Sequence, residues 1–444
     1  MKRILSAVLL LSVAACSAAG IDESESLGES SENLNGDLSP RGFLVKKTIA
    51  DSDETARESD TLDYYGSIGI EPDGSGVGLG GDFSALITLT KFRDHYFGSG
   101  SVEGAVYYNR GDLGLGRDMH CVDRFAIDGQ IACYVTNYAA GDDGSEFTFG
   151  LSPDIAFRNI VAKNAVATVA MVYRDRARPG QDKVIFAVYN KRETLTLEAP
   201  LDRHGLNFFN EFISHGTPDP AVFGTPGVNF NNHIPSNCLN CHGGQYEALH
   251  HSVSGAFFLP FDLDQFEFKN EPNFRRQDQE FALSQLNEMA RKVAYKSTNN
   301  VEHPVVRQID GWYGNLQSRN QELVHDFDSS YVPDGWDDTA DDVAVYRAVV
   351  RRSCRGCHVT SAFFPFETAS DFAAFGGVIA LDVGNHLMPH ALQTQRQFWQ
   401  SSQPLALENY FRVVGQSGIA DSIKTAGPGR IITLDPPLIL AATF

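Results

Sequence analysis

The chain has 444 residues, with 36 Lys and Arg against 56 Asp and Glu, and a formal net charge of −20. That balance excludes nucleic acid as a partner, because polyphosphates require a basic face. Hydrophobic content of 42 % and charged content of 21 % are those of a globular chain long enough for two or three domains.

Lys2 and Arg3 precede a short apolar run, residues 4–15, that ends in small residues. This reads as an export signal, too short to span a bilayer. Val13-Ala14-Ala15-Cys16 resembles the bacterial lipobox. The resemblance implies removal of residues 1–15 and lipidation of Cys16, and Ser17 behind it resembles an outer-membrane address. No later stretch is long and apolar enough to cross a membrane, so the expected anchor is lipid alone. The expectation is an exported lipoprotein facing the periplasm or the cell surface. Residues 16–63 should form an acidic, disordered tether, with a short helix at 51–57; the first part, 17–40, has no Lys or Arg.

Residues 64–206 read as a β-rich domain. Apolar–polar alternation predicts strands over 85–92 and 102–108, and Val, Tyr and Phe enrichment predicts them over 166–173 and 184–189. Residues 194–198 have a composition suited to pairing back on the last of these. Asp128-Gly129 lies between Arg124-Phe125-Ala126-Ile127 and Ile131-Ala132-Cys133-Tyr134, which predicts a hairpin with a two-residue loop. That loop sets Cys133 opposite Arg124. A disulfide between Cys121 and Cys133, the pairing expected of two spare thiols in an oxidising compartment, therefore requires a bulge, a longer loop or pairing outside the ladder.

Residues 207–335 are irregular and Pro-rich at first, and then carry Cys238-Leu239-Asn240-Cys241-His242. This is C-x-x-C-H, the spacing that attaches c-type haem: two thiols each add across one vinyl group of a porphyrin, and the adjacent imidazole reaches the iron. An aromatic stretch over 257–268 suits the wall of a haem pocket. Helical periodicity predicts a helix over 277–295, with Met289 on its apolar face, and another over 305–316.

The motif returns as Cys354-Arg355-Gly356-Cys357-His358, directly after a predicted helix over 341–351. Met388-Pro389 and a predicted helix over 390–400 follow. Helix, C-x-x-C-H, loop, Met-Pro, helix resembles the small mono-haem cytochrome c domain, here over residues 336–418. With both motifs considered, the chain resembles a di-haem c-type cytochrome. Residues 419–444 form a tail with a predicted strand at 430–434. The expected fold class is α+β, a β-rich N-terminal domain followed by a mostly helical region with two covalent haems.

The resemblance implies His358 and Met388 as the axial pair of the second haem, with His386 and His390 beside it as alternatives. His/Met ligation raises the potential and suits electron transfer. The first haem takes His242, and its opposite side is open between Met289 and the Met119-His120 pair, where His120 is either a ligand or an acid/base group; His233 is a weaker alternative. Trp336 and the arginines around the second motif, Arg347, Arg351, Arg352 and Arg355, are candidate propionate partners. A zinc reading of the paired motifs is disfavoured, because each is followed by His and the chain carries an export signal. The expected function is single-electron transfer by an exported di-haem cytochrome, to or from a redox partner that a basic surface would suit. Two rivals stand beside it: a di-haem peroxidase or oxygenase with an open distal site at the first haem, and a surface-binding module that carries redox haems.

Overall fold

The structure is a computed structural model and describes residues 54–69, 86–98, 100–139, 152–175, 183–195, 234–247, 249–314, 326–361, 364, 366–385 and 391–426. The export signal, Cys16, His233, Met388 with its flanking histidines, and the strand expected at 430–434 lie outside these residues.

The described residues open on α1 (Glu54–Ser67), which runs beyond the short helix expected at 51–57 and corrects the expected tether: residues 54–63 are helical rather than disordered. The second element corrects the sequence reading. Residues expected as a strand begin α2 (Leu89–Phe97) instead: Thr88 accepts a hydrogen bond from the Lys91 amide, and Leu89, Phe92 and Tyr96 are buried at helical spacing. An N-cap and a 3.6-residue stripe outweigh the short alternation that precedes them.

Then come β1 (Val102–Asn109) and β2 (Leu115–Arg124), the helical turn α3 (Phe125–Asp128), β3 (Gln130–Tyr138), α4 (Pro153–Ala162), β4 (Ala167–Arg174) and β5 (Val184–Asn190). The loop between β2 and β3 is longer than expected. Phe125 to Asp128 make a helical turn and Gly129 closes it at φ 78°, a left-handed conformation that suits glycine. Arg124 therefore pairs with Gln130, and Cys121 falls opposite Cys133. The two cysteines form a disulfide with Cα atoms 4.1 Å apart. The longer loop removes the conflict between hairpin and disulfide.

Downstream lie α5 (Ser236–His242), the small hairpin of β6 (Gln245–Glu247) and β7 (Ser252–Ser254), and β8 (Phe266–Glu267). The long α6 (Arg276–Thr298) and α7 (Pro304–Tyr313) match the two helices expected there. Then α8 (Ala340–Val345) continues through a π-helical turn, Tyr346–Val350, and Arg351–Ser353 into α9 (Arg355–His358). The chain goes on through α10 (Ala369–Ala374), α11 (Gly376–Asn385), α12 (Leu392–Trp399), α13 (Gln403–Val413) and α14 (Ser417–Thr425).

The fold is mixed α+β. The main sheet has the order β5-β4-β3-β2-β1-β8, with antiparallel pairing throughout. Both edges are guarded, as unpaired strand edges must be. On β5, the amides of Phe186 and Val188 donate to the hydroxyls of Tyr64 and Tyr65 from α1. On β1, where two-residue β8 runs out, the Gln279 amide of α6 accepts from the Val106 N–H and donates to the Val106 carbonyl. One hydrophobic cluster joins the sheet to α1, α2, α6 and α7. A second surrounds Trp336, Tyr346, Phe372, Tyr410 and Phe411 in the C-terminal helices.

Candidate functional site

The two C-x-x-C-H segments occupy α5 and α9, and they touch. Cys241 and Cys357, the second thiol of each, have their sulfurs 3.7 Å apart. The Thr360 hydroxyl, two residues beyond the second motif, donates to the Cys241 carbonyl. Gly243 ends α5 at φ 67°, ψ −170°, a region open to glycine alone. A Cβ there would lie 2.2 Å from the Thr360 carbonyl oxygen, so the backbones meet where no side chain fits.

Each motif histidine is held the same way. His242 Nδ1 lies 2.9 Å from the Phe257 carbonyl, and His358 Nδ1 lies 2.9 Å from the Phe364 carbonyl. A carbonyl only accepts, so each Nδ1 carries the proton and each Nε2 keeps its lone pair. Burial pushes both imidazoles down to about 4. At neutral pH both are neutral and present a basic Nε2, the form that ligates metal, with the other nitrogen already oriented.

Cys238, Cys241 and His242 line one cavity, together with Cys357. Its empty space is about 1490 Å³ including the solvent mouth. Alternate residues of the sheet form one wall, among them Leu115, Met119, Val135, Val169 and Met171. This follows from the period-2 geometry of strands, which sends every second side chain to the same face. The segment from Phe258 to Phe266 forms another wall. Asn287 of α6 pins that segment: its side chain accepts from the Phe261 N–H and donates to the Phe261 carbonyl. At one end Arg117 and Asp112 pair, and Asp112 also accepts from the Leu113 amide and from Asn109. Arg117 Nε and Asn137 Oδ1 are buried there with no hydrogen-bond partner.

The donor set fits a covalently attached porphyrin better than a metal ion. Burial pushes the Cys238 and Cys354 thiols up to about 12. The Cys241 thiol is also raised, by its contact with Cys357 and then by burial. Zinc needs clustered thiolates. Among the described residues the only group of three ligating side chains drawn close together is Asp60, Asp63 and His251, with none of the motif thiols in it. An apolar cavity with the thiols of Cys238, Cys241 and Cys357 and the Nε2 of His242 on its wall suits a flat, largely apolar tetrapyrrole.

The remaining sequence candidates fall in different places. His120 is turned to the face of the sheet away from the cavity. Its Nε2 is 2.8 Å from Asp118, and its ring stacks on Tyr134, which packs against Phe97 of α2. Its neighbour Met119 takes the cavity side. Met289 is buried in the core on α6, outside the cavity lining. Trp336 donates its indole N–H to the Phe366 carbonyl, so that group is already used. Arg351 donates to the Ser329 carbonyl. Arg347 is exposed. Arg355 is 5 % exposed and held by Asp262 and Asp264. Neither Met171 nor Asp262 stood out in the sequence. The signal for Met171 was available: it shares β-strand parity with Val169, two residues away.

Comparison of the chain with protein-family models, with curated proteins and with solved structures finds no match.

Proposed function

We propose that the chain is an exported di-haem c-type cytochrome that transfers single electrons. The observation that carries this reading is the meeting of the two C-x-x-C-H segments at Cys241 and Cys357, sulfur to sulfur at 3.7 Å. Two separate binding modules would have no need of that contact, whereas an electron relay benefits from it directly. Cys238, Cys241 and His242 would hold one haem, and Cys354, Cys357 and His358 the other. Haem supplies reversible one-electron chemistry at iron. The protein's part is to orient the two imidazoles, exclude water and fix the two attachment segments against each other.

The sheet gives the first haem its pocket wall. Met119 and Met171 are the thioethers on that wall, and they take the place of His120 and Met289 as candidates for its sixth ligand. For the second haem the candidate remains Met388. Lipidation at Cys16 would tether the protein to a membrane, with an acidic surface toward a basic redox partner.

Denatured protein tests the reading. Two covalent haems per chain by pyridine haemochrome, falling to one in Cys238→Ala/Cys241→Ala, are expected. Pigment that leaves entirely into acidified acetone would overturn it.

A second reading, a di-haem oxidoreductase with an open distal side at the first haem, is favoured by one observation. Arg117 Nε and Asn137 Oδ1, on two residues that line the cavity, are buried and unpaired. Such groups suit a small polar ligand. A high-spin ferric signal that disappears with cyanide would favour this reading; two low-spin haems that ignore CO would favour the carrier.

A further inference from the structure

Arg355 occupies the first variable position of the second motif, where covalent haem attachment asks nothing of the side chain. Yet three of its nitrogens donate to described partners, two carboxylates and a phenol. Its Nε lies 2.6 Å from Asp262 Oδ2, and its Nη2 lies 2.7 Å from Asp262 Oδ1 and 2.8 Å from Asp264 Oδ2. Its Nη1 donates to the Tyr346 hydroxyl at 3.0 Å. The guanidinium carbon sits 5.1 Å from the centre of the Trp312 ring. The Arg355 and Asp262 side chains are 5 % and 3 % exposed, and Asp264 is 15 % exposed.

These contacts bridge the two hydrophobic clusters. Tyr346 belongs to the C-terminal hydrophobic cluster, while Trp312 and the neighbours of Asp262, Phe261 and Leu263, belong to the cluster that contains the sheet. Asp262 also lines the cavity of the first motif. Around the guanidinium, Gln265 donates to the Arg351 carbonyl at 3.2 Å, and a Cβ on Gly356 would meet the Gln265 side-chain oxygen at 2.4 Å. The second motif is therefore fastened to the wall of the first motif's cavity by a bidentate fork, which fixes both distance and angle in a way a point charge does not.

The geometry points to Arg355 as a positioning residue: with Asp262 and Asp264 it holds the two haem-attachment segments at one separation and one angle, and so sets the electronic coupling between the two haems. This rests on the di-haem reading above. No bond is made or broken; one electron leaves a ferrous iron and reduces the ferric iron of the other haem.

The experiment uses full-length holoprotein. Haem content is measured first by haemochrome, and a count of no covalent haem ends the di-haem reading itself. Given two haems, the wild type is expected to show a bisignate Soret circular-dichroism couplet, the signature of two porphyrins in fixed orientation, and a two-step redox titration. Two haems with no couplet overturn the positioning role and leave the di-haem reading standing. Arg355→Gln is expected to halve the couplet or more and to draw the two redox steps together; Arg355→Lys should recover only part of the couplet. Arg355→Gln with two haems and wild-type signals overturns the proposal. If that variant does not accumulate, Asp264→Asn carries the test: a smaller loss in the same direction supports it, and an unchanged couplet overturns it. Arg124→Gln, which loosens the β2–β3 turn outside the cavity lining by removing the ion pair with Asp128, must keep the couplet; an equal loss there would mean general slackening and would overturn the specific role.

Discussion

At the residue scale, two positions show how little latitude the site has. Gly243 combines a backbone conformation reserved for glycine with a backbone contact, since its missing Cβ would sit 2.2 Å from the Thr360 oxygen. Gly243→Ala must therefore strain the chain and push the two motifs apart. A loss of about 2 kcal/mol or more in urea unfolding is expected, and a variant as stable as the wild type would show that the contact yields freely. His303 gives a pH-dependent counterpart away from the motifs. Burial, helped by Arg307, pushes it down to about 4 from its usual 6.5. Its Nδ1 caps α7 by accepting from the Val305 N–H. Between pH 6.5 and 4 the unfolded chain binds this proton and the folded one does not, so stability falls as the pH falls through that window. His303→Asn keeps a capping acceptor and cannot titrate. Between pH 7 and 4.5 the wild type should lose about 1–2 kcal/mol more than this variant, allowing for partial exposure; equal losses would contradict a neutral His303 in the fold. The motif histidines themselves were legible in the sequence, because C-x-x-C-H is a local pattern. Their carbonyl partners, Phe257 and Phe364, were not, because a backbone acceptor leaves no mark in residue identity.

At the scale of elements, the β2–β3 pair shows what local pattern can and cannot resolve. Alternation located β1, and Val, Tyr and Phe enrichment located β4 and β5, within a residue or two; helical periodicity located α6 and α7. The turn between β2 and β3 was misread because Asp128-Gly129 is a strong two-residue signal, whereas the structure uses it to end a helical turn whose Asp128 is held by Arg124. The register that follows brings Cys121 against Cys133, across a sequence separation of 12 residues. Closing a loop of that size should stabilise the fold by about 3 kcal/mol in the chain-entropy model. Replacing both cysteines by alanine should lower the urea midpoint accordingly, while the proposed covalent haems remain. Loss of the haems in that variant would mean the cross-link is needed for maturation rather than stability. The misread start of α2 has a similar cause. Residues 85–92 contain Thr88, which caps a helix better than it sits in a strand, and the buried stripe of Phe92 and Tyr96 continues beyond the window in which alternation was apparent. The face assignment of Met119 and His120 depends on register and on what packs against each side, neither of which single-strand pattern contains.

At the scale of the whole molecule, an N-terminal sheet and C-terminal helices meet where the two motifs meet, so the sheet is part of the first motif's cavity rather than an appended module. The α+β class was legible from composition and pattern; this union was not, because it depends on contacts such as Arg355 with Asp262 that join residues distant in sequence. Charge acts at the same scale. With 36 basic and 56 acidic residues the surface potential is negative on average, so encounter with a redox partner should be governed by sign and screened by salt. Reduction of the proposed haems by a small cationic mediator should then outpace reduction by an anionic mediator of matched potential by about tenfold at low ionic strength. The two rates should converge as salt rises, the cationic one falling and the anionic one climbing. Stopped-flow reduction at several ionic strengths measures both slopes directly. Parallel, salt-independent rates would mean that electrons enter through a neutral patch, and the acidic surface would then serve solubility rather than docking.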